Sequence, residues 1–148
     1  MTTLVVDASV ALKWVIEEED SDLAEAILST GIALEAPDLL QVEVANALWR
    51  RLRGGAISEE QADRAFVTLD GAIGLWHADK PLARRALELA SSLGHPIYDM
   101  LYLALAERRG ARVITADRRF AERAAASPHA PLIVTLSEWA AGKADFGR

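Results

Sequence analysis

The sequence predicts an α/β fold built on a parallel sheet with helices on both faces. Two short runs, Leu4-Val5-Val6 and Arg112-Val113-Ile114-Thr115, are rich in β-branched residues, the composition of strands buried on both sides. Stretches with helical punctuation, a cap at the start and glycine at the end, lie between them. Strand and helix alternate along 148 residues without an internal repeat, a low-complexity segment or a linker, which suits one domain with one core.

Taken in order, the first strand ends at Asp7 and a short apolar helix is expected over 8–16, followed by an acidic turn at 17–20. A second helix spans 21–28 and stops near Gly31. Residues 32–36 make a strand that ends at Pro37. Asp38 is placed to cap a helix over 39–53, which Gly54-Gly55 terminates. Ser58 and Gln61 form a capping box for a helix to about Asp70. A strand over 72–77 is interrupted by glycine. Asp79-Lys80-Pro81 opens a helix to Gly94, with proline in the first turn, where its missing N–H costs nothing. The apolar run 97–109 reads as a helix ending at Gly110. After the strand at 112–115, residues 120–126 are helical, 132–135 form a last strand, and Ser137 caps a final short helix. The domain is expected to occupy 1–141, with 142–148 as a frayed tail.

Composition narrows the function. A hydrophobic fraction of 51% with four Trp supports a packed core and excludes global disorder. The absence of Cys rules out disulfides and thiolate zinc sites and fits a reducing cytoplasm. No signal peptide is expected, because no basic segment precedes a long apolar run. No apolar stretch approaches ~20 residues, so no membrane span is expected. The net charge of −6 opposes broad nucleic-acid affinity but permits a local basic groove. The cations are mostly Arg, the better bidentate phosphate binder; Lys occurs only at Lys13, Lys80 and Lys143.

Four acids break the apolar pattern. Asp7 ends the first strand, where open α/β sheets bind ligands; a carboxylate there can cap a helix, hold a metal or act as a nucleophile. Glu43 shares a helix face with Leu39, Leu40 and Ala47, with Asn46 one turn on; the bland alternative is a boundary glutamate reaching solvent. Asp99 stands in the first turn of the 97–109 helix, where the macrodipole favours it by ~0.3–1 kcal/mol, yet the run around it is apolar. Asp117 follows the 112–115 strand, where a helix cap is the alternative. If the two strands are neighbours, Asp7 and Asp117 lie side by side, and the helix acids point toward the same crevice. Four converging carboxylates repel one another unless cations intervene. Hard oxygen ligands suit Mg²⁺ or Mn²⁺, ions that hold phosphates and activate water for in-line displacement.

Four motifs together resemble a PIN domain: Asp7-Ala8-Ser9, Glu43-Val44-Ala45-Asn46, the stretch from Tyr98-Asp99-Met100 to Ala106, and Thr115-Ala116-Asp117. More narrowly they resemble the VapC ribonuclease toxins of toxin–antitoxin pairs, over almost the whole chain. The resemblance implies a PIN-like three-layer α/β/α sandwich with a central parallel sheet of about five short strands. It implies a Mg²⁺- or Mn²⁺-dependent endoribonuclease acting on RNA, homodimeric and silenced by a cognate antitoxin. Asp7, Glu43, Asp99 and Asp117 match the catalytic, metal-holding acids. Ser9, Asn46 and Thr115 match positions that orient them.

Other residues carry weaker signals. Arg50 lies on a face similar to that of Glu43 and Asn46 and is the best RNA contact among the Arg clusters at 50/51/53, 108/109 and 118/119/123. His95 reads as a loop residue. Tyr98 and Tyr102 read as half-buried core aromatics, with base stacking as the functional alternative. Trp14 and Ile16 are candidates for a partner surface, and the apolar helices 8–16 and 39–49 suggest a dimer interface. Two further activities compete: aspartyl phosphotransfer with Asp7 as nucleophile, and a PIN module outside a toxin–antitoxin pair, either RNA-processing or catalytically silent. The first is disfavoured because Ser9 stands where a second acid is wanted and no Lys follows a late strand.

Overall fold

The computed structural model describes residues 2–142. Five strands, β1 (Thr3–Val6), β2 (Ala33–Pro37), β3 (Leu75–His77), β4 (Arg112–Thr115) and β5 (Ile133–Thr135), form one parallel sheet in the order β3-β2-β1-β4-β5. The helices are α1 (Ala8–Val15), α2 (Ser21–Leu28), α3 (Leu39–Arg53), α4 (Glu59–Ala72), α5 (Ala83–Leu93), α6 (Ile97–Arg109), α7 (Arg118–Ala125) and α8 (Leu136–Ala140). The contacts group α1 to α4 on one face and α5, α6 and α7 on the other, the arrangement that right-handed crossovers require for this strand order. The expected three layers and five strands are therefore present.

The centre of the sheet is dry. Leu4, Val5 and Val6 are all fully buried, as are Val113 and Ile114 beside them. Helix α6 covers β1, β2 and β4, and residues 100–106 are buried without a break. A helix covered on every side shows no polar stripe, which accounts for the unbroken apolar run. From β1 the chain steps to β2 and β3 on one side and returns to β4 on the other. The carboxyl ends of β1 and β4 thus flank a topological switch point, where ligands bind in open α/β sheets.

Several local expectations are corrected. Strand β3 is confined to Leu75–His77, because α4 continues through Ala72. Asp38 does not cap α3: its backbone is already helical, and Leu39 N–H donates to Asp79 Oδ1 from a loop 40 residues away. The segment after Asp79 begins as a 3₁₀ turn, Lys80–Leu82, before α5. Helix α7 starts at Arg118 rather than 120. Helix α8 is capped by Thr135 in a reciprocal box with Glu138, not by Ser137. Trp14 is buried and its indole N–H donates to Ala24 O at 2.8 Å, so it is core; Ile16 packs half-buried against that core. Of the expected tail, 143–148 lies outside the described residues.

Candidate active site

Asp7 is held where β1 gives way to α1. It is the N-cap of α1, with Oδ1 accepting from Val10 N–H at 3.3 Å. The same oxygen accepts from Ser9 Oγ at 2.6 Å, and Oδ2 accepts a short hydrogen bond from Thr115 Oγ1 at the end of β4. Each hydroxyl also binds the neighbouring segment: Ala116 N–H donates to Ser9 Oγ at 2.8 Å and Asp117 N–H to Thr115 Oγ1 at 3.0 Å. A single network therefore joins the carboxyl ends of β1 and β4. Asp117, next in the chain, caps α7 by accepting from Phe120 N–H at 3.2 Å.

The helix acids are each held by one aromatic side chain. Tyr102 on α6 is fully buried, and its hydroxyl donates to Glu43 Oε1 on α3 at 2.6 Å. His95, in the turn before α6, meets Asp99 Oδ2 through Nε2 at 2.6 Å. The imidazole is almost wholly buried and stacks on Phe120, with ring centroids 5.7 Å apart. Sequence reasoning assigned neither contact. Tyr102 was expected half-buried, and His95 as a loop residue without a role.

The electrostatics tie the four acids together. Burial pushes the Asp7 carboxyl up from 3.8 to about 7, against the opposing bonds from Ser9 and Thr115, and Asp99 adds to the rise. Glu43 is raised by burial, with the charges of Asp99 and Asp79 adding to it and Tyr102 opposing. Asp99 is raised by burial and by Asp117, with His95 opposing. The Tyr102 hydroxyl is held well above its usual value by burial and by Glu43, Asp7 and Asp99. Asp7 and Glu43 thus each feel Asp99, and Asp99 feels Asp117.

Asp7 has only neutral hydrogen-bond donors, and no Arg or Lys bonds to any of the four acids among the described residues. One buried carboxyl and three half-buried ones, with hard oxygen donors and no Arg or Lys partner among the described residues, fit a divalent cation in chemistry. Among the described residues no three His, Asp or Glu side chains form a ready-made metal cage. Asn46 is exposed and bonds to none of the acids among the described residues, and Arg50 is exposed and has no ion pair among them. Ser9 and Thr115 do contact Asp7.

The family model described as the PIN domain matches residues 4–126. The chain belongs to the PIN-domain family. This PIN-domain chain is 35% identical over 128 residues to Ribonuclease VapC3 of Pyrobaculum aerophilum, across 81% of its own length and 93% of that protein. It is 34% identical over 142 residues to Ribonuclease VapC1 of Mycobacterium tuberculosis, across 92% and 98%. It therefore falls in the VapC group, as its motifs indicated. The fold also matches that of a toxin–antitoxin complex from Klebsiella pneumoniae, with a TM-score of 0.60 at 15% identity over 90% of this chain and 97% of that one.

Proposed function

We propose that this PIN-domain protein is a metal-dependent endoribonuclease and the toxin of a toxin–antitoxin pair. The observation that carries the reading is the Asp7 network at the switch point, coupled to Asp99, Glu43 and Asp117. Those are the acids expected of the family to which the chain belongs. Its two ribonuclease relatives, each about a third identical over most of both chains, support the same activity.

The roles rest on the family motif, and the hydrogen bonds of the site support them. Asp7, Asp99, Glu43 and Asp117 would hold Mg²⁺ or Mn²⁺. A bound divalent ion supplies Lewis acidity toward phosphate oxygens. Ser9 and Thr115 fix both oxygens of Asp7, Tyr102 fixes Glu43 and His95 fixes Asp99. The carboxylates are thus set before RNA arrives, the condition for electrostatic stabilisation without reorganisation.

The same reading makes RNA the substrate, residues 1–141 one nuclease domain and the cytoplasm its location. No helix among the described residues is long and apolar enough to cross a membrane. It also implies a cognate antitoxin that places a cationic side chain among the acids. A homodimer is supported by Val42 and Trp49, which α3 leaves 65% and 52% exposed. The test is cleavage of mixed RNAs by purified protein with Mn²⁺, Mg²⁺ or EDTA. Cleavage only with a divalent ion, lost in Asp99→Asn, is expected. Folded wild-type protein that leaves RNA intact with both ions would identify a silent module instead.

A further inference from the structure

Two cavities open beside the acids, and one helix supplies cations to both. The first, about 330 Å³, is lined by Lys13, Thr115, Arg118 and Thr135, with Glu19 and Asp20 also on its wall. The second, about 290 Å³, is lined by His95, Arg119, Arg123 and Glu122. Each shares a residue with the acid cluster: Thr115 donates to Asp7, and His95 pairs with Asp99. Helix α7, capped by Asp117, sends Arg118 to one cavity and Arg119 and Arg123 to the other.

Position, rather than pairing alone, separates these arginines from the rest: Arg50, Arg64, Arg84 and Arg108 are also exposed without an ion pair or hydrogen bond among the described residues, but none of them lines either cavity. Arg51, Arg85 and Arg109 each meet a carboxylate, and Lys13 is held by Glu18 and the Glu19 carbonyl. Arg118, Arg119 and Arg123 are exposed, and none has an ion pair or hydrogen bond among the described residues. In a chain of net charge −6, α7 brings three such guanidinium groups, within a turn and a half of helix, to the walls of both cavities. Arg119 and Arg123, four apart, lie on one face, so both can reach a single phosphate.

We propose that α7 is the backbone track for single-stranded RNA: phosphates on either side of the one at the acids rest on Arg118 in the first cavity and on Arg119 with Arg123 in the second. This rests on the ribonuclease reading and names the residues that hold its substrate. Arg118, Arg119 and Arg123 position the strand, and the acids carry the chemistry. Arg50, on α3, lines neither cavity.

The test compares Arg118→Ala, Arg119→Ala/Arg123→Ala and the corresponding Lys variants with Arg108→Ala. Arg108 is exposed and lies about 14 Å along α6 from Asp99, so it serves as the control. Cleavage is measured on a mixed-sequence single-stranded RNA with Mn²⁺. Affinity is measured by anisotropy with the same RNA in an Asp99→Asn background. Each Ala variant is expected to weaken binding at least about fivefold and raise KM with kcat within about twofold. The log–log salt slope should fall by about 0.7 for each phosphate lost. Lys should restore most of both, and melting temperatures should not move. If wild type cleaves while the α7 variants match Arg108→Ala in affinity, KM and salt slope, the track is wrong and the ribonuclease reading stands. If wild type neither binds nor cleaves RNA, both fall.

Discussion

Replacing Asp7 by Asn should stabilise the metal-free protein, an unusual result for a buried residue with three hydrogen-bond donors. The folded carboxyl titrates at about 7 against 3.8 in the unfolded chain. The folded state therefore favours the protonated form. The stability it confers is fully present below about pH 4 and is lost as pH rises through about 7, and the curve is flat above that. At neutral pH the cost of the ionised group is about 4 kcal/mol, of which about 3 kcal/mol falls between pH 5 and pH 8. Asn removes the charge and one acceptor. Its amide can donate to Thr115 Oγ1, which then turns its proton toward Ser9 Oγ, 3.3 Å away. That exchange costs about 1 kcal/mol. The net gain at pH 8 is about 2–3 kcal/mol, or roughly 5–10 °C for a chain of this size. Melting curves in EDTA from pH 5 to pH 8 check it. Wild type should lose roughly 6–12 °C across that range and Asp7→Asn much less. An Asn variant that melts below wild type at pH 8 would refute the account, since Asp7 would then be a structural cap and not an anion short of a cation.

Three further outcomes follow from the same geometry. Mn²⁺ at ~100 times its dissociation constant should raise wild-type stability by ~2.7 kcal/mol, and Asp7→Asn should lose most of that rise in a paired melting series. Tyr102→Phe keeps the packing of α6 but removes the donor to Glu43. About 0.5–1.5 kcal/mol of stability and a larger share of kcat than of KM should go, read from denaturant unfolding and steady-state cleavage. Arg109→Ala strips the buried Glu35 of its bidentate partner and leaves only His77. It should lower the urea midpoint at neutral pH and, because Glu35 is held below its ordinary value, flatten the loss of stability on acidification below pH 5.

The parts of the fold legible in the sequence are those whose burial is complete. Strands β1 and β4 and helix α6 lie in the dry centre, so composition alone marked them. At the sheet edge the signal thinned: β3 has three residues, with Leu75 45% exposed. Non-local bonds left no local pattern. Asp38 looked like the cap of α3, but the carboxylate that serves it is Asp79, and Trp14 looked exposed because its partner carbonyl is on α2. The Thr135–Glu138 capping box was readable from spacing, but Thr135 had been assigned to strand β5, and it serves as both strand end and cap. In the site, the strand-end acids and Ser9 stood out by sequence position. The contacts from Tyr102 and His95 did not, because an aromatic in an apolar run carries no mark of what its hydroxyl or ring nitrogen will meet.

Helix cap and ligand-binding acid are not competing descriptions of Asp7 and Asp117. Each accepts, through Oδ1, from a helix N–H three residues on, which fixes its position and backbone. For Asp117 the second oxygen has no bond among the described residues, while that of Asp7 receives the Thr115 hydroxyl, a neutral donor that a cation can reinforce. A cap in solvent would be stabilised by its charge. Asp7, 3% exposed and driven to about 7, is penalised for it. A structural cap under that penalty would be served better by Ser or Asn, which accept the same bond without charge. On the proposed reading, the ionisable oxygen supplies negative charge at the switch point, and it sets the direction of both the pH and the metal dependence above.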